Sequence, residues 1–213
     1  MTSAKVNSEK DILLWSSFKL GDWDAYAELY NNYFKLLNNY GHKFTGDLSL
    51  IEDAVHDLFV KLWNTKQNLG SPESVKNYLF KSLRSIIFRK LQSGSKFVGI
   101  EDDYSFTFEV SFDHQYIADE EEKKLQAGIK SVIQALPARQ QEIIYLRFYE
   151  GLGYEEIADI MCINVNSAYK LLYKALNKLQ DLLHVSKLSI LLALLYSLKT
   201  NNQIIKSFFE MKG

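Results

Sequence analysis

The sequence has few of the residues that cross-link, interrupt or anchor a chain. A single cysteine, Cys162, excludes an internal disulfide and favours a reducing compartment. Only two prolines in 213 residues leave long stretches in which a helix can continue. The longest apolar run, Leu188 to Leu198, is shorter than the roughly 18 residues of a membrane-spanning helix, and the N-terminal residues lack the apolar core of a signal peptide. These absences predict a cytoplasmic protein that is not inserted in a membrane.

Patterns typical of catalytic and metal sites are also missing from the sequence. The four histidines and the cysteine are scattered, without His-x-x-x-His or Cys-x-x-Cys spacing. No glycine-rich phosphate loop and no nucleophile motif occurs. We therefore expect no enzymatic activity, no metal, no cofactor and no small-molecule substrate.

Charge is distributed in blocks, although the formal net charge is only −1. Residues 71–98 carry a net charge of +5, residues 99–122 carry −9 and residues 123–213 carry +5. Because the local field matters more than the sum, two basic blocks joined by an acidic bridge remain compatible with nucleic-acid binding. The 47% apolar content and the long periodic segments predict an all-α protein with a substantial core.

Residues 137–183 have the order of a helix-turn-helix motif, which reads duplex DNA. Pro137 begins a helix that ends near Gly151, and residues 154–161 form a short helix with Glu155 and Glu156 in its first turn. After a turn at 162–163, Asn164 is expected to cap a third helix. The face predicted to pack inward consists of Val165, Ala168, Leu172, Ala175, Leu176 and Leu179. The face predicted to point outward, towards DNA, consists of Asn166, Ser167, Lys170 and Lys174.

Three further amphipathic segments precede the acidic bridge. A helix is predicted over 24–40, and a second begins at Ser49, which together with Glu52 suggests a capping box. Residues 64–72 are expected to form a polar loop, and a third helix is predicted over 73–91. In this third helix basic residues alternate with aromatic ones, as single-stranded nucleic-acid binding requires. The alternative is that Tyr78 and Phe80 belong to the core and the lysines to a solvated face.

These patterns divide the chain into four parts. The first helical domain covers residues 8–92, the acidic linker 93–119 and the second domain 120–184. Residues 185–213 are predicted to be an amphipathic helical extension, whose apolar stripe includes Leu188, Leu191, Leu195 and Leu198. Exposed apolar area of this kind is normally covered, so packing on one of the two domains is the leading expectation. Self-association and the binding of an inhibitory partner are the alternatives.

The order of these blocks resembles the bacterial RNA polymerase sigma factors of the extracytoplasmic-function (ECF) group, which contain regions two and four only. The resemblance covers residues 10–183 and is carried by AYAELYNNYFKLLNNYGHKFTGD, IEDAVHDLFVKLW, SVKNYLFKSLRSIIFRKL and ALPARQQEIIYLRFYEGLGYEEIADI. It implies two helical domains, core RNA polymerase and promoter DNA as partners, and an anti-sigma factor as an inhibitor. It also implies that the acidic linker mimics nucleic acid in the RNA exit path.

The resemblance further implies roles for particular residues. The contact set for polymerase is Asp53, His56, Asp57, Lys61 and Trp63. Residues 64–74 resemble the loop that captures a flipped base of the −10 element. The set expected at the −10 element is Asn64, Lys76, Asn77, Tyr78, Lys81, Arg84, Arg89 and Lys90. The set expected at the −35 element is Arg147, Asn166, Ser167, Tyr169, Lys170, Tyr173 and Lys174.

Departures from the family pattern concentrate in the third helix of the helix-turn-helix. Tyr169 and Leu171 replace cations that are usual there, and Cys162 stands where a turn glycine is usual. Fewer cations predict weaker or unusual reading of the −35 element. Two alternatives to a sigma factor follow. One is a helix-turn-helix transcription regulator that does not bind core polymerase, and the other is a protein-interaction module that no longer reads DNA.

Overall fold

The computed structural model describes residues 3–94, 104–108 and 120–183, together with 186, 189–191 and 194. Within these residues all the regular structure is helical, as the sequence predicts. The chain divides into two compact units, Met1–Asp103 and Tyr104–Gly213. The finer domain bounds, with a linker over 93–119, remain a prediction. No helix in the described part of the chain is long and apolar enough to cross a membrane.

The described residues of the first unit form four α-helices and one short 3-10 turn. Their bounds are α1 Ser3–Lys19, α2 Trp23–Gly41, α3 Leu48–Thr65, the 3-10 turn Lys66–Asn68 and α4 Val75–Gly94. Gly21, at a φ of +97°, allows the reversal that follows α1. The carboxylate of Asp22 then accepts hydrogen bonds from the backbone N–H groups of Asp24 and Ala25, which satisfies the open donors at the start of α2.

The cap predicted for α3 was wrong. Asp47, not Ser49, precedes the helix, and its Oδ1 accepts a 3.0 Å hydrogen bond from the Leu50 N–H. Ser49 lies inside the first turn, where its side chain cannot act as the N-cap. The helix also extends past the predicted boundary to Thr65, so Asn64 belongs to its last turn instead of to a loop. The apolar face of α3 is as predicted, with Ile51, Val55, Leu58, Phe59 and Leu62 buried.

Large aromatic side chains fill the core of the first unit. Trp15, Phe18, Tyr40, Phe59 and Phe80 are fully buried, and the Trp15 Nε1–H donates to the Gly70 carbonyl at 3.0 Å. This hydrogen bond attaches the loop before α4 to α1. Burial of Phe80 confirms the core alternative for that ring, whereas Tyr78 is half-buried and meets Trp15 edge to face.

A glycine permits the close approach of α2 and α3. A Cβ at Gly41 would lie 2.6 Å from Ile51 Cγ2, closer than two carbon atoms can pack. Earlier in α2, the Tyr33 hydroxyl donates to Asp11 Oδ2 at 2.5 Å. Burial raises the pKa of Asp11, although the tyrosine hydrogen bond opposes that shift. The contact joins α1 to α2.

Between residues 120 and 183, the second unit has four further α-helices. These are α5 Glu120–Gln134, α6 Ala138–Phe148, α7 Tyr154–Ile160 and α8 Val165–Leu183. Pro137 is the N-cap of α6, one residue earlier than a first-turn position. The Gln141 side-chain amide donates to the carbonyl of Leu136, closing the α5–α6 turn. Six consecutive residues of α6, from 141 to 146, are buried.

A short segment inside the predicted linker explains how α6 is covered on so many sides. Phe106 and Phe108 are buried, with ring centroids 5.8 and 5.5 Å from that of Tyr145, and Phe108 also lies 5.1 Å from Tyr149. The Tyr104 hydroxyl hydrogen-bonds to the buried carboxylate of Glu142. We call residues 104–108 the strap. The sequence analysis did not anticipate it.

Most of the predicted extension at 185–213 lies outside the described residues. At its start, the Ser186 hydroxyl accepts from the Ser189 N–H, as a helix cap does. Ile190 and Leu194, one helical turn apart, are fully buried. Neither residue belongs to the predicted stripe, whose described member Leu191 is half-buried, so the face that is buried here is not the one predicted. Packing of the rest of the extension remains a prediction.

Candidate nucleic-acid interface

The α7–turn–α8 motif presents a polar strip on α8. Asn164 caps this helix as predicted, because its Oδ1 accepts from the Ser167 N–H at 2.7 Å. Ala168, Leu172, Ala175, Leu176 and Leu179 are buried, whereas Val165 is only half-buried. Of the α8 residues predicted to contact the −35 element, Ser167 is half-buried, and the others are exposed: Asn166, Tyr169, Lys170, Tyr173 and Lys174.

A strained turn sets the position of α8 relative to α7. The backbone of Cys162 has a φ of 53°, a conformation that favours glycine. Its N–H donates to the Asp159 carbonyl, and the Ile163 N–H donates to the Ala158 carbonyl at 2.9 Å. This pair of hydrogen bonds is the Schellman arrangement, in which the last carbonyls of a helix are satisfied around one left-handed residue. The turn is therefore a glycine position occupied by cysteine.

The N-terminal end of α7 meets both α6 and α8. Glu156 accepts a hydrogen bond from the Gly153 N–H at 2.9 Å, which caps α7. Arg147 is half-buried, donates to the Leu152 carbonyl at 2.7 Å and lies over the ring of Tyr154. The Tyr154 ring in turn stacks on Tyr169. Arg147 and Tyr169 were predicted separately for the −35 element. Tyr154, which was not predicted, contacts both of them.

The other candidate surface lies on α4 of the first unit. Lys81 and Arg89 are exposed, and Lys76, Asn77, Tyr78 and Lys90 are half-buried. The structure places Arg84 apart from these residues, since it is 6% exposed and its guanidinium lies 4.4 Å from the centroid of the Phe88 ring. Burial of this degree disfavours a direct phosphate contact, so we leave Arg84 out of the proposed DNA-binding set. The remaining cations still run along one helix.

The residues predicted to contact polymerase lie on α3. Asp53, His56, Asp57 and Lys61 are exposed on the face opposite the core. Trp63 is half-buried, with its ring 5.0 Å from that of Trp23, and Lys66 Nζ lies 4.0 Å from its centroid.

An ion pair connects α3 to α4. The Lys90 Nζ lies 2.7 Å from Asp57 Oδ2, with both side chains partly exposed. Asp57 was predicted to contact polymerase and Lys90 to contact DNA. The two predicted surfaces of the first unit therefore meet at this pair.

Groups of histidine, cysteine, aspartate and glutamate able to hold a metal ion are absent from the described residues. Tyr145 and Tyr149, which contact the strap, are buried and have no access to a solvent-borne substrate. Burial raises the pKa of Tyr145 well above its ordinary value, and its hydroxyl donates to Glu150 at 2.7 Å. Tyr145 is therefore a neutral structural group.

Three features were not predicted from the sequence: the strap, Tyr154 and the exposed Trp23. The strap has a recognisable signal, because Tyr104, Phe106 and Phe108 alternate with Ser105 and Thr107, as in an extended segment with one buried face. Tyr154 has no comparable signal, because an aromatic residue at the first position of a short helix does not indicate its contacts. Its partner depends on where α8 crosses α7.

Comparison with known families and proteins agrees with this geometry. The family described as "Sigma-70, region 4" matches residues 127–179, which include α6, α7 and most of α8. The chain is similar to RNA polymerase sigma factor SigV of Bacillus subtilis (strain 168), with 28% identity over 124 residues, 58% of this chain and 70% of that protein. It is also similar to RNA polymerase sigma factor YlaC of the same organism, with 26% identity over 160 residues, 71% of this chain and 88% of that protein.

Two solved structures share the fold. CnrH, in complex with the cytosolic domain of CnrY, has a TM-score of 0.54 at 18% identity over 82% of this chain and 97% of that one. The sigma factor RpoE from Bartonella quintana, in complex with the anti-sigma factor NepR, has a TM-score of 0.51 at 23% identity over 75% of this chain and 97% of that one. At these identities the likeness concerns the fold.

Proposed function

We propose that this chain, which belongs to the extracytoplasmic-function sigma factors of bacterial RNA polymerase, binds the core enzyme and directs it to specific promoters. The observation that carries the proposal is the capped helix-turn-helix of the second unit, with an exposed polar and cationic strip on α8. A helix presented in this way fits the major groove of duplex DNA. Asn166, Ser167, Lys170, Tyr173 and Lys174 supply its contacts to the −35 element.

The first unit binds polymerase and opened DNA. The exposed polar face of α3, with Asp53, His56, Asp57 and Lys61, contacts the core enzyme, and Trp63 supports its C-terminal end. The −10 strand is held by Asn64 at the end of α3 and, on α4, by Lys76, Asn77, Tyr78, Lys81, Arg89 and Lys90. Cations bind its phosphates and aromatic side chains stack on unpaired bases.

Promoter opening in this scheme needs no catalytic step by the chain. Capturing an extruded base and a stretch of single strand offsets the few kcal/mol that unstacking costs. The acidic linker does not lie along DNA, because its negative charge repels phosphate. We place this activity in the cytoplasm, where polymerase and promoters are, and propose an anti-sigma factor as the inhibitory partner.

Transcription reconstituted from purified parts tests the proposal. The full chain is added to core RNA polymerase and to a library of promoter templates from its own genome. We expect a stoichiometric complex with the core and transcripts that begin at discrete sites. Absence of both would contradict the proposal, and binding to DNA without binding to the core would indicate a conventional regulator.

Paired variants separate the role of α4 from a general effect of charge. Replacing Lys81 and Arg89 by alanine should reduce promoter opening, measured by permanganate reactivity of unpaired thymines, while the complex with core polymerase persists. Lys35→Ala, on α2 and outside the proposed set, is the control. Equal effects of the two changes would remove α4 from the proposed −10 surface.

A further inference from the structure

Three side chains from three helices form one stack at the edge of the helix-turn-helix. The ring centroids of Tyr154 and Tyr169 are 3.7 Å apart with an interplanar angle of 25°. The guanidinium carbon of Arg147 lies 5.1 Å from the centroid of the Tyr154 ring. Arg147 comes from the end of α6, Tyr154 from the start of α7 and Tyr169 from the second turn of α8.

The hydrogen bonding around Arg147 fixes its orientation without neutralising its charge. One N–H donates to the carbonyl of Leu152, whose own N–H is held by the Leu146 carbonyl at 3.1 Å. Within the described part of the chain, Arg147 has no carboxylate partner. The carboxylate of Glu156, in the first turn of α7, accepts from the Gly153 N–H.

A cation held by a carbonyl and an aromatic face is suited to bind an anion. A carboxylate partner would cancel the charge, whereas stacking on tyrosine restricts the planar guanidinium and leaves the charge intact. Four of its five N–H groups are not used by the Leu152 carbonyl. A phosphate oxygen is the acceptor that such a group binds most strongly in a nucleic-acid complex.

The resemblance to sigma factors implies that Arg147 contacts the −35 element; we propose that Tyr154 and Tyr169 are positioning residues, which hold its guanidinium for contact with a phosphate of the duplex. Tyr169 therefore does not read a base, although it lies on the outer strip of α8 and is 48% exposed. One face of its ring is covered by Tyr154, so it acts on DNA through Arg147. This inference rests on the proposed function.

The stack also accounts for the loss of a cation on α8. A lysine or arginine at position 169 would add a phosphate contact of its own but would remove the ring on which Tyr154 stacks. The chain keeps the ring. With no cation at position 169, the phosphate contact near the start of α8 is made by Arg147 from α6.

Binding to a short duplex of random sequence tests the inference, because a phosphate contact does not depend on sequence. Affinity of the full chain is measured by fluorescence anisotropy over a series of salt concentrations. Arg147→Gln should weaken binding about tenfold and lower the slope of log affinity against log salt by about one unit. Tyr169→Ala should weaken binding about threefold, as expected of a coupled neighbour.

Two comparisons distinguish positioning from direct contact and from a loss of folding. Tyr169→Phe keeps the ring and should bind as the unchanged protein does. Adding Tyr169→Ala to Arg147→Gln should cause no further loss. Where Tyr169→Ala unfolds the second unit, as judged by thermal melting, Tyr169→Leu replaces it, because leucine keeps apolar volume without the stacked ring.

Each remaining result overturns a specific claim. Weak binding by Tyr169→Phe would show that the hydroxyl contacts DNA directly. Additive losses in the double variant would show that Tyr169 acts independently of Arg147. Unchanged binding by Arg147→Gln would show that Arg147 makes no phosphate contact. If the unchanged protein binds no duplex at all, the inference fails and the stack is only structural, whereas the proposed function is decided separately by transcription with core polymerase.

Discussion

At the scale of single residues, the turn of the helix-turn-helix stores conformational strain at Cys162. A side chain in the left-handed region costs roughly 1–2 kcal/mol compared with glycine, which adopts that region readily. Cys162→Gly should therefore raise the free energy of unfolding of the second unit by about 1 kcal/mol, after the entropy that glycine loses on folding is included. Urea denaturation followed by circular dichroism measures the change.

Cys162→Ala is the matched control, because it removes the thiol but keeps the Cβ that causes the strain. Its stability should be close to that of the unchanged protein. If alanine and glycine stabilise the unit equally, the thiol and not the backbone conformation is responsible. DNA affinity should change little in either variant, since the glycine turn is the geometry that this cysteine already adopts.

The start of α3 allows a second residue-scale prediction. Asp47→Ala removes the side chain that accepts from the Leu50 N–H and should cost the first unit about 1 kcal/mol. Ser49→Ala, two residues away inside the helix, should have almost no effect. Thermal melting of the two variants compares them directly. A larger loss from Ser49→Ala would mean that the helix begins later in solution.

These two positions show what sequence patterns can and cannot locate. The departure of Cys162 from a usual glycine was visible in the sequence, and its left-handed backbone confirms the significance of that departure. The cap of α3 was misplaced by two residues because Asp47 and Ser49 are both good capping residues. Which of them caps the helix depends on where the chain turns, and that is decided by packing.

At the scale of elements, amphipathic helices were the easiest part to predict. The inner faces of α3 and α8 follow directly from apolar spacing, because each helix packs one stripe against its own unit. The strap could not be predicted in the same way, since its alternation is short and lies in an acidic, irregular context. Arg84 illustrates the converse. Its charge suggested a surface role, but its position on α4 directs it towards Phe88.

The strap gives a prediction about the stability of α6. Replacing both Phe106 and Phe108 by alanine removes two buried rings from Tyr145 and Tyr149, and one such substitution alone typically costs about 3–5 kcal/mol. We expect the double variant to unfold the second unit at lower denaturant and to lose hydrogen-exchange protection in α6. Protection in α2 and α3 of the first unit should be unchanged.

The neighbouring strap residues provide the control for this prediction. Ser105 and Thr107 are exposed, so their replacement by alanine should leave α6 protected. If the phenylalanine variant also keeps full protection, the strap is not part of the core of the second unit. Such a result would return residues 104–108 to the linker that the sequence predicted.

At the scale of the whole molecule, net charge is a poor guide to partners. The formal charge of −1 conceals exposed cations on α4 and α8. One further cation of α4, Lys90, is paired with Asp57 of α3. A partly exposed pair of this kind contributes at most about 1 kcal/mol to stability. Its position matters more, because one partner lies on the proposed polymerase surface and the other on the proposed DNA surface.

Linkage between these two surfaces gives the last prediction. Asp57→Asn removes a negative charge from beside Lys90, so the affinity of the chain for forked DNA should rise by about two- to fivefold while its affinity for core polymerase falls. Competition binding with the core and anisotropy with the fork measure the two effects.

Asp53→Asn, which lies on the same face of α3, should weaken polymerase binding without the gain in DNA affinity. Adding Lys90→Gln to Asp57→Asn should abolish the gain. Because coupling between two binding sites is reciprocal, a polymerase that engages Asp57 would also weaken the attraction of Asp57 for Lys90 and so favour DNA binding. A fall in both affinities on Asp57→Asn would mean that the pair maintains the packing of α3 on α4 and carries no coupling.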